Sequence, residues 1–212
     1  MAHFLGVGSA PFCDLMGKDW NQAYLTGECP WDKGAAAPPL RAYLAQSQIT
    51  GAVLVPGCGL GHDVRLLAQA GAMVTGLDSA PKAIELAKGI GSLDRIDYQV
   101  GDFLAFNPAY VEGYDWVFEH TCLCALEPKQ RQNYVDALCR VLKPQADYLA
   151  IFYIQVENYD GLGPPHPITR REIDELFKSR FDILDARVPT ESYSSRPYGC
   201  DLLMHRQKRL GH

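Results

Sequence analysis

Between Gly51 and Ser79 the chain reads G-A-V-L-V-P-G-C-G-L-G-H-D-V-R-L-L-A-Q-A-G-A-M-V-T-G-L-D-S, and no other stretch restricts the fold as tightly. Ala52 to Val55 is a short apolar, β-branched run bounded by punctuation, the pattern of a strand buried on both faces in a parallel sheet. Gly57, Gly59 and Gly61 follow, giving a turn whose backbone a ligand can approach because no Cβ intervenes. From His62 the period changes: Val64, Leu67 and Ala68 mark one face of a helix that stops at Gly71. A second apolar strand, Met73 to Leu77, ends at Asp78. Strand, glycine turn, helix, strand and acid make half of a nucleotide-binding α/β unit, with the acid placed for a ribose.

The spacing decides which nucleotide. A dinucleotide fingerprint, G-x-G-x-x-G, rests a pyrophosphate on the helix N-terminus. Gly57-Cys58-Gly59-Leu60-Gly61 is one residue shorter and demands no phosphate. It suits S-adenosylmethionine, which carries ribose and amino acid but no phosphate, with Asp78 accepting from the ribose hydroxyls. A tight strand-to-helix turn without a ligand remains the plain alternative.

The rest of the chain extends the unit. Asp14 to Leu25 reads as a helix with Trp20 and Tyr24 on one face. A loop rich in Pro and Gly, T-G-E-C-P-W-D-K-G, carries Trp31 and Asp32, and Leu40, Tyr43 and Leu44 imply a second helix. After Asp78, Ser79 reads as an N-cap and Pro81 as a first-turn residue, with Ala83, Ile84 and Ala87 inward. Strands are expected at Ile96–Val100, Tyr114–Phe118 and Tyr148–Ile154. Helices are expected from Pro128 to Lys143-Pro144 and around Thr169–Lys178, and a closing strand pair at Phe181–Val188 and Tyr198–Arg206. Met1 to Cys13 has no period and reads as an arm. Alternating strands and helices imply a doubly wound, parallel α/β sheet, whose ligands lie at the carboxyl ends of strands. Gly57 to Gly61, Asp78, Asp102-Phe103 and Glu119-His120-Thr121 all follow strands and should share one crevice.

Composition narrows the partners. Two hundred and twelve residues suffice for one well-buried domain. A net charge of -5 gives no footprint for nucleic acid, and the basic tail Arg206, Lys208 and Arg209 reads as a solvated end. No apolar run approaches the roughly 20 residues that span a bilayer. The start lacks a signal-peptide pattern. Seven irregularly spaced cysteines argue against a disulfide framework, so the chain reads as cytoplasmic and reduced, and as a monomer for want of any interface signal.

With P-W-D-K-G, L-V-P-G-C-G-L-G-H-D-V and V-T-G-L-D-S in this order, the chain resembles the thiopurine and thiol/halide S-methyltransferases, a group of class I S-adenosylmethionine-dependent methyltransferases. G-D-F, C-A-L-E-P-K-Q-R-Q-N-Y and V-L-K-P agree, and the resemblance runs from Trp20 to the end. It implies a single domain with a seven-stranded, mostly parallel sheet, the last strand antiparallel. Residues 1–48 would form a helical lid over an α/β core of residues 49–212. By the same resemblance Trp20 and Trp31 pack on the cofactor, Gly57 and Gly59 approach its methionine part, and Asp78, with Ser79 beside it, holds the ribose. Asp102 and Phe103 flank the adenine, Glu119 to Thr121 lie beside the methyl-donating sulfur, and Arg131 stands near the acceptor.

The sequence also departs from that pattern. Tyr24 stands in place of a second lid tryptophan, Cys29 precedes P-W where a hydroxyl residue is usual, and Glu119-His120-Thr121-Cys122-Leu123 replaces an aspartate–tyrosine–threonine–aromatic run. His166 occupies a tyrosine position, and Cys200 a late glutamate. These residues belong to the acceptor side, which makes Tyr24, Thr121 and Cys122 candidate acceptor contacts and His120, Arg131 and His166 candidate catalytic groups. Each has a structural alternative: helix packing for Trp20 and Tyr24, loop hydrogen bonding for His120 and His166, capping or a surface ion pair for Arg131, apolar filling for Cys122 and Cys124. No metal site is expected, since Cys122 and Cys124 lack further ligands. A small thiol is the expected acceptor, because a thiolate is already a nucleophile and needs little general base. O- or N-transfer, a nicotinamide-dependent oxidoreductase and a cofactor-binding protein without catalysis are the alternatives.

Overall fold

The computed structural model describes residues 18–105, 107–156 and 159–211. The arm expected at Met1–Cys13 lies outside them. Helix α1 (Trp20–Thr26) begins where the Asp19 side chain accepts from the Gln22 N–H at 2.8 Å, a cap that satisfies one of the orphan donors of the first turn. Of the Asp14–Leu25 span expected, residues 14–17 lie outside the described residues, and the helix begins at Trp20. Helix α2 (Pro38–Leu44) has prolines in its first turn and leads to strand β1 (Ala52–Pro56). The α/β alternation then follows: α3 (His62–Gln69), β2 (Met73–Asp78), α4 (Pro81–Ile90), β3 (Ile96–Val100) and β4 (Tyr114–His120). The second half holds α5 (Arg131–Val141), β5 (Leu142–Tyr153), α6 (Arg170–Phe177), β6 (Phe181–Arg187) and β7 (Asp201–Lys208).

The seven strands form one sheet in the order β3-β2-β1-β4-β5-β7-β6, with β7 antiparallel to both neighbours. The chain enters at β1, winds out to β3, and returns to β4 beside β1. This reversal opens a crevice beyond the carboxyl ends of β1 and β4, where side chains from several strands meet.

The period-two alternation of the strands splits the interior into two cores. On one face Tyr148, Ala150 and Phe152 pack with Tyr134 and Leu138 of α5 and Ile173 and Phe177 of α6. On the other, Leu149 and Ile151 join Val53 and Val55 against Leu40, Val64, Leu67 and Ile84. Lys208 is buried, and its ammonium donates to the carbonyls of Cys139 and Leu142 at 2.7 and 2.8 Å. It thus satisfies carbonyls at the end of α5, a favourable place for a cation.

Other expected boundaries moved, and the closing strand begins at Asp201, not Tyr198, because residues 198–200 form a turn. Lys143-Pro144 does not close off α5 with a loop, because β5 begins directly at Leu142 and a register shift opposite Tyr114 and Trp116 absorbs the irregular start. Ser79 does not cap α4. Ala80 holds that position, and its N–H is taken by the Asp78 carboxylate at 2.9 Å.

Gly61 is the junction of turn and helix, with φ of 72° at the start of α3. A Cβ there would lie 2.8 Å from Tyr98 Cε1. Gly61→Ala should therefore lower stability by roughly 2–4 kcal/mol, combining left-handed strain with overpacking. Gly71→Ala, with φ of 108° and open space around it, should show the backbone part alone. Urea midpoints of the two variants check the difference.

Candidate functional site

A cavity of about 400 Å³ lies over the strand ends, inside the range of small-molecule sites. One end is built by the glycine turn and β2. Asp78 is 7% exposed; its Oδ2 accepts from Gly59 N–H at 2.8 Å and its Oδ1 from Ala80 N–H at 2.9 Å. Burial pushes this carboxyl up, while the N–H groups of Ala80, Gly59 and Ser79 pull it back down. Each carboxylate oxygen keeps a second acceptor site, which a ribose diol can use. Gly57 and Gly59 have φ of 61° and 51°. A Cβ at 57 would lie 3.1 Å from Cys122 Sγ, and one at 59 would lie 2.9 Å from the Tyr24 hydroxyl. Side chains at these two positions would crowd Cys122 and Tyr24. That fits S-adenosylmethionine, which would supply an electrophilic methyl group here.

The segment from α1 to α2 contributes an aromatic cluster. Trp31 meets Trp20 edge-on at 5.1 Å and Tyr24 at 5.8 Å, and its indole N–H donates to the Tyr24 hydroxyl at 2.9 Å. Lys18 Nζ stands 4.2 Å from the Trp31 ring centre, a cation–π contact. Asp32 turns the loop by accepting from Gly34 N–H at 3.0 Å and pairs with His62 Nε2 at 3.2 Å, which joins the lid to the first turn of α3. Asp102, exposed, accepts from Leu104 N–H at 2.8 Å, and Phe103 packs edge-on against Tyr134 at 5.2 Å. Trp20, Trp31, Gly57, Gly59, Asp78 and Ser79 line the cavity, as do Asp102, Phe103, Tyr24, Thr121, Cys122 and His120.

Three expected residues do not line it. Successive side chains of a strand point to opposite faces, so Glu119 and His120 part company at the end of β4. Glu119 is fully buried behind the wall, where Oε2 accepts from the Tyr134 hydroxyl and Leu123 N–H, each at 2.9 Å. It reaches the cavity only indirectly, through Tyr134 and the backbone of Cys122, both of which line it. Arg131 donates to the carbonyls of Pro167 and His166 at 2.8 and 3.4 Å, and so anchors a loop. His166 meets the Tyr159 hydroxyl at 3.1 Å, and its own N–H donates to the Cys124 carbonyl at 2.7 Å.

His120 does reach the wall. Its Nδ1 lies 3.1 Å from Asp63 Oδ2, and its ring stacks on Tyr193 at 5.8 Å with an 18° tilt. Asp63 Oδ1 accepts from Ala37 N–H at 2.7 Å. Asp63 escapes sequence reading because an acid in a helix's first turn looks like an ordinary dipole complement. Tyr193, Ser195 and Arg196, in the β6–β7 loop, also line the cavity without any local motif to mark them. Arg196 pairs with Asp201 and lies 4.6 Å over the Tyr153 ring.

Cys122 and Cys124 lie in the cavity wall. Burial pushes the Cys122 thiol well up and that of Cys124 up to about 12, so neither supplies a thiolate nucleophile. Among the described residues no group of three or more His, Cys, Asp or Glu is arranged to hold a metal ion.

The model of the thiopurine S-methyltransferase family matches residues 15–197. This chain belongs to that family. The assignment agrees with the thiocyanate methyltransferase 1 of Brassica oleracea, which is 33% identical over 154 residues, 70% of this chain and 66% of that protein. The 2-heptyl-1-hydroxyquinolin-4(1H)-one methyltransferase of Mycobacteroides abscessus is 27% identical over 174 residues, 81% of this chain and 76% of that protein. The fold is that of class I methyltransferases. A Burkholderia thailandensis 1,6-didemethyltoxoflavin-N1-methyltransferase, solved with S-adenosylhomocysteine, superposes with a TM-score of 0.69 at 20% identity, over 89% of this chain and 84% of that one. Membership of that family makes the chain an S-adenosylmethionine-dependent methyltransferase, and Asp78 and the glycine turn lie at the carboxyl ends of its strands, where open α/β sheets bind ligands.

Two measurements test this site. Asp78→Asn should weaken S-adenosylhomocysteine by at least about 10-fold in titration calorimetry, since a charge-assisted hydrogen bond is worth about 1.5–3 kcal/mol; an unchanged affinity would release this carboxylate from the role. Burial raises the Glu119 carboxyl from 4.5 to about 7, against the pull of Tyr134 and the Leu123 and Cys122 N–H groups. The folded state thus keeps a proton that the unfolded chain loses. Stability from this group is complete below about pH 4.5 and fades as the pH climbs through about 7. Relative to Glu119→Gln, the native protein should lose on the order of 3 kcal/mol across that window in denaturant titrations.

Proposed function

We propose that this enzyme methylates the sulfur of a small thiol. The observation that carries the reading is the make-up of the cavity beyond the glycine turn. There Cys122, Cys124, Ala125, Leu126, Pro164 and Pro165 form a soft, largely apolar wall around the place where acceptor and methyl donor would meet. A thiol enters such a wall at little desolvation cost, whereas a hydroxyl or amine needs a hydrogen-bond partner for each polar atom. The name of the family and that of the thiocyanate methyltransferase relative point to sulfur acceptors as well.

Methyl transfer from a sulfonium is an in-line displacement that consumes charge, so holding the partners aligned in a dry site supplies much of the rate. Here the alignment falls to Asp78 and the glycine turn on one side and the acceptor wall on the other. The lid aromatics Trp20, Trp31 and Tyr24 exclude water.

A second reading, transfer to a hydroxyl, has the imidazole of His120 in its favour, together with a relative named for a 1-hydroxyquinolinone. Incubation with methyl-labelled S-adenosylmethionine and a panel of aromatic and aliphatic thiols, phenols, N-hydroxy heterocycles and amines separates the two. Label on thiol sulfur, read by mass spectrometry, is the expected outcome. Label confined to oxygen or nitrogen acceptors would overturn the thiol reading.

A further inference from the structure

A site that accepts ready-made thiolates has no use for a base, yet this one holds an oriented imidazole. His120 Nδ1 lies 3.1 Å from Asp63 Oδ2. The opposite oxygen of that carboxylate is fixed by the Ala37 N–H at 2.7 Å, so the carboxylate cannot swing away. A carboxylate only accepts, which places the ring proton on Nδ1 and leaves the lone pair on Nε2. Nε2 is buried and, among the described residues, has no hydrogen-bond partner. A buried acceptor left unpaired in a cavity wall is satisfied by a hydrogen that a ligand brings.

The surroundings hold the ring in place. Tyr193 stacks on one face, and the Tyr193 hydroxyl is itself tied to the Ala35 carbonyl at 2.8 Å. Thr121, the next residue, has φ of 60°, a strained conformation for a β-branched side chain, and its hydroxyl donates to the His120 carbonyl at 2.7 Å. The charged and titratable groups around the ring are Asp63 and His62 on α3, Asp32 on the lid, Tyr193 and Arg196 on the β6–β7 loop, and Asp201 at the start of β7.

We infer that His120 is the general base of this enzyme and Asp63 its positioning residue, and that the acceptor enters as a neutral, weakly acidic thiol. The inference rests on the thiol reading above and narrows it to acceptors that are un-ionised in solution. The S–H bond breaks and leaves its pair on sulfur, and the proton passes to Nε2. The acceptor sulfur forms the new S–CH3 bond as the methyl group's old bond breaks, that pair staying with the departing thioether. The imidazolium is then paired with Asp63. A free thiolate or a halide would instead add a further negative charge beside the carboxylates of Asp63 and Asp32.

The test uses thiols graded from acidic aromatic to weakly acidic aliphatic, with wild type, His120→Gln and Asp63→Asn. For His120→Gln, kcat/KM should fall about 10²–10⁴-fold on aliphatic thiols and less than about 10-fold on aromatic thiols ionised at the assay pH. Asp63→Asn should lose kcat on the same aliphatic thiols with KM little changed. Calorimetry with S-adenosylhomocysteine verifies that both variants fold. Independently of turnover, ring ¹⁵N shifts in the cofactor-free protein should report the Nδ1–H tautomer of His120 in wild type and a mixed population in Asp63→Asn. Equal losses across the thiol series, or an Nε2–H tautomer in wild type, overturn the inference. Should wild type turn over no thiol at all, the thiol reading fails by itself and the tautomer still decides the fate of the pair.

Discussion

The carboxylate of Asp78 is the fixed point of this molecule. It sits at the end of β2, is nearly buried, and takes one backbone N–H from the turn after β1 and another from the start of α4. A buried carboxylate is costly unless its oxygens are occupied, and here backbone donors occupy them, so its position is set by main chain and not by a mobile partner. Two strand ends and one helix start are locked to a single group. A ligand that adds hydrogen bonds to Asp78 therefore meets an acceptor already in place.

The end of β4 divides the labour in the same spirit. Glu119 turns inward to Tyr134 and supports the α5 side of the wall, while His120 turns to the lid side and Asp63. One residue step along a strand thus separates a buried structural acid from a cavity-wall imidazole. Exchanging the two by a register slip would bury His120 against α5 and abolish both arrangements. The strained Thr121 that follows keeps the strand from running on.

Much of this was legible in the chain. The Gly57–Gly61 turn and Asp78 fall where the strand–turn–helix–strand pattern requires, because local steric rules act on neighbours in sequence. The family resemblance extended that to the antiparallel β7. What sequence could not carry is what topology alone brings together. Asp63 and His120 are 57 positions apart and share no period. Tyr193 and Arg196 lie in a loop between two strands with no motif to flag them. Arg131 and His166 looked like chemistry but meet through a backbone carbonyl, since burial of an arginine is as well satisfied by loop oxygens as by a substrate. Ser79 looked like a cap only because Asp78 was read as a ligand group and not also as a turn former.

The N-terminal segment and the cavity wall beside it form one connected construction. Asp63 holds Ala37, just beyond the lid loop, with one oxygen and His120 with the other. Tyr193 stacks on His120 and bonds to Ala35, and Asp32 pairs with His62 beside Asp63. Each link is a modest interaction, but they close a loop of contacts through α3, the lid and the β6–β7 segment. The departures from the family's aromatic lid and strand-end pattern, Tyr24 and His120 among them, border this ring of contacts. A histidine in place of tyrosine at the end of β4 keeps a planar ring for stacking and adds a nitrogen that can hold a proton. One oxygen of Asp63 thus ties the N-terminal segment to α3 and the other orients the ring of His120, so a side chain that keeps the first acceptor, as Asn does, separates the two contacts.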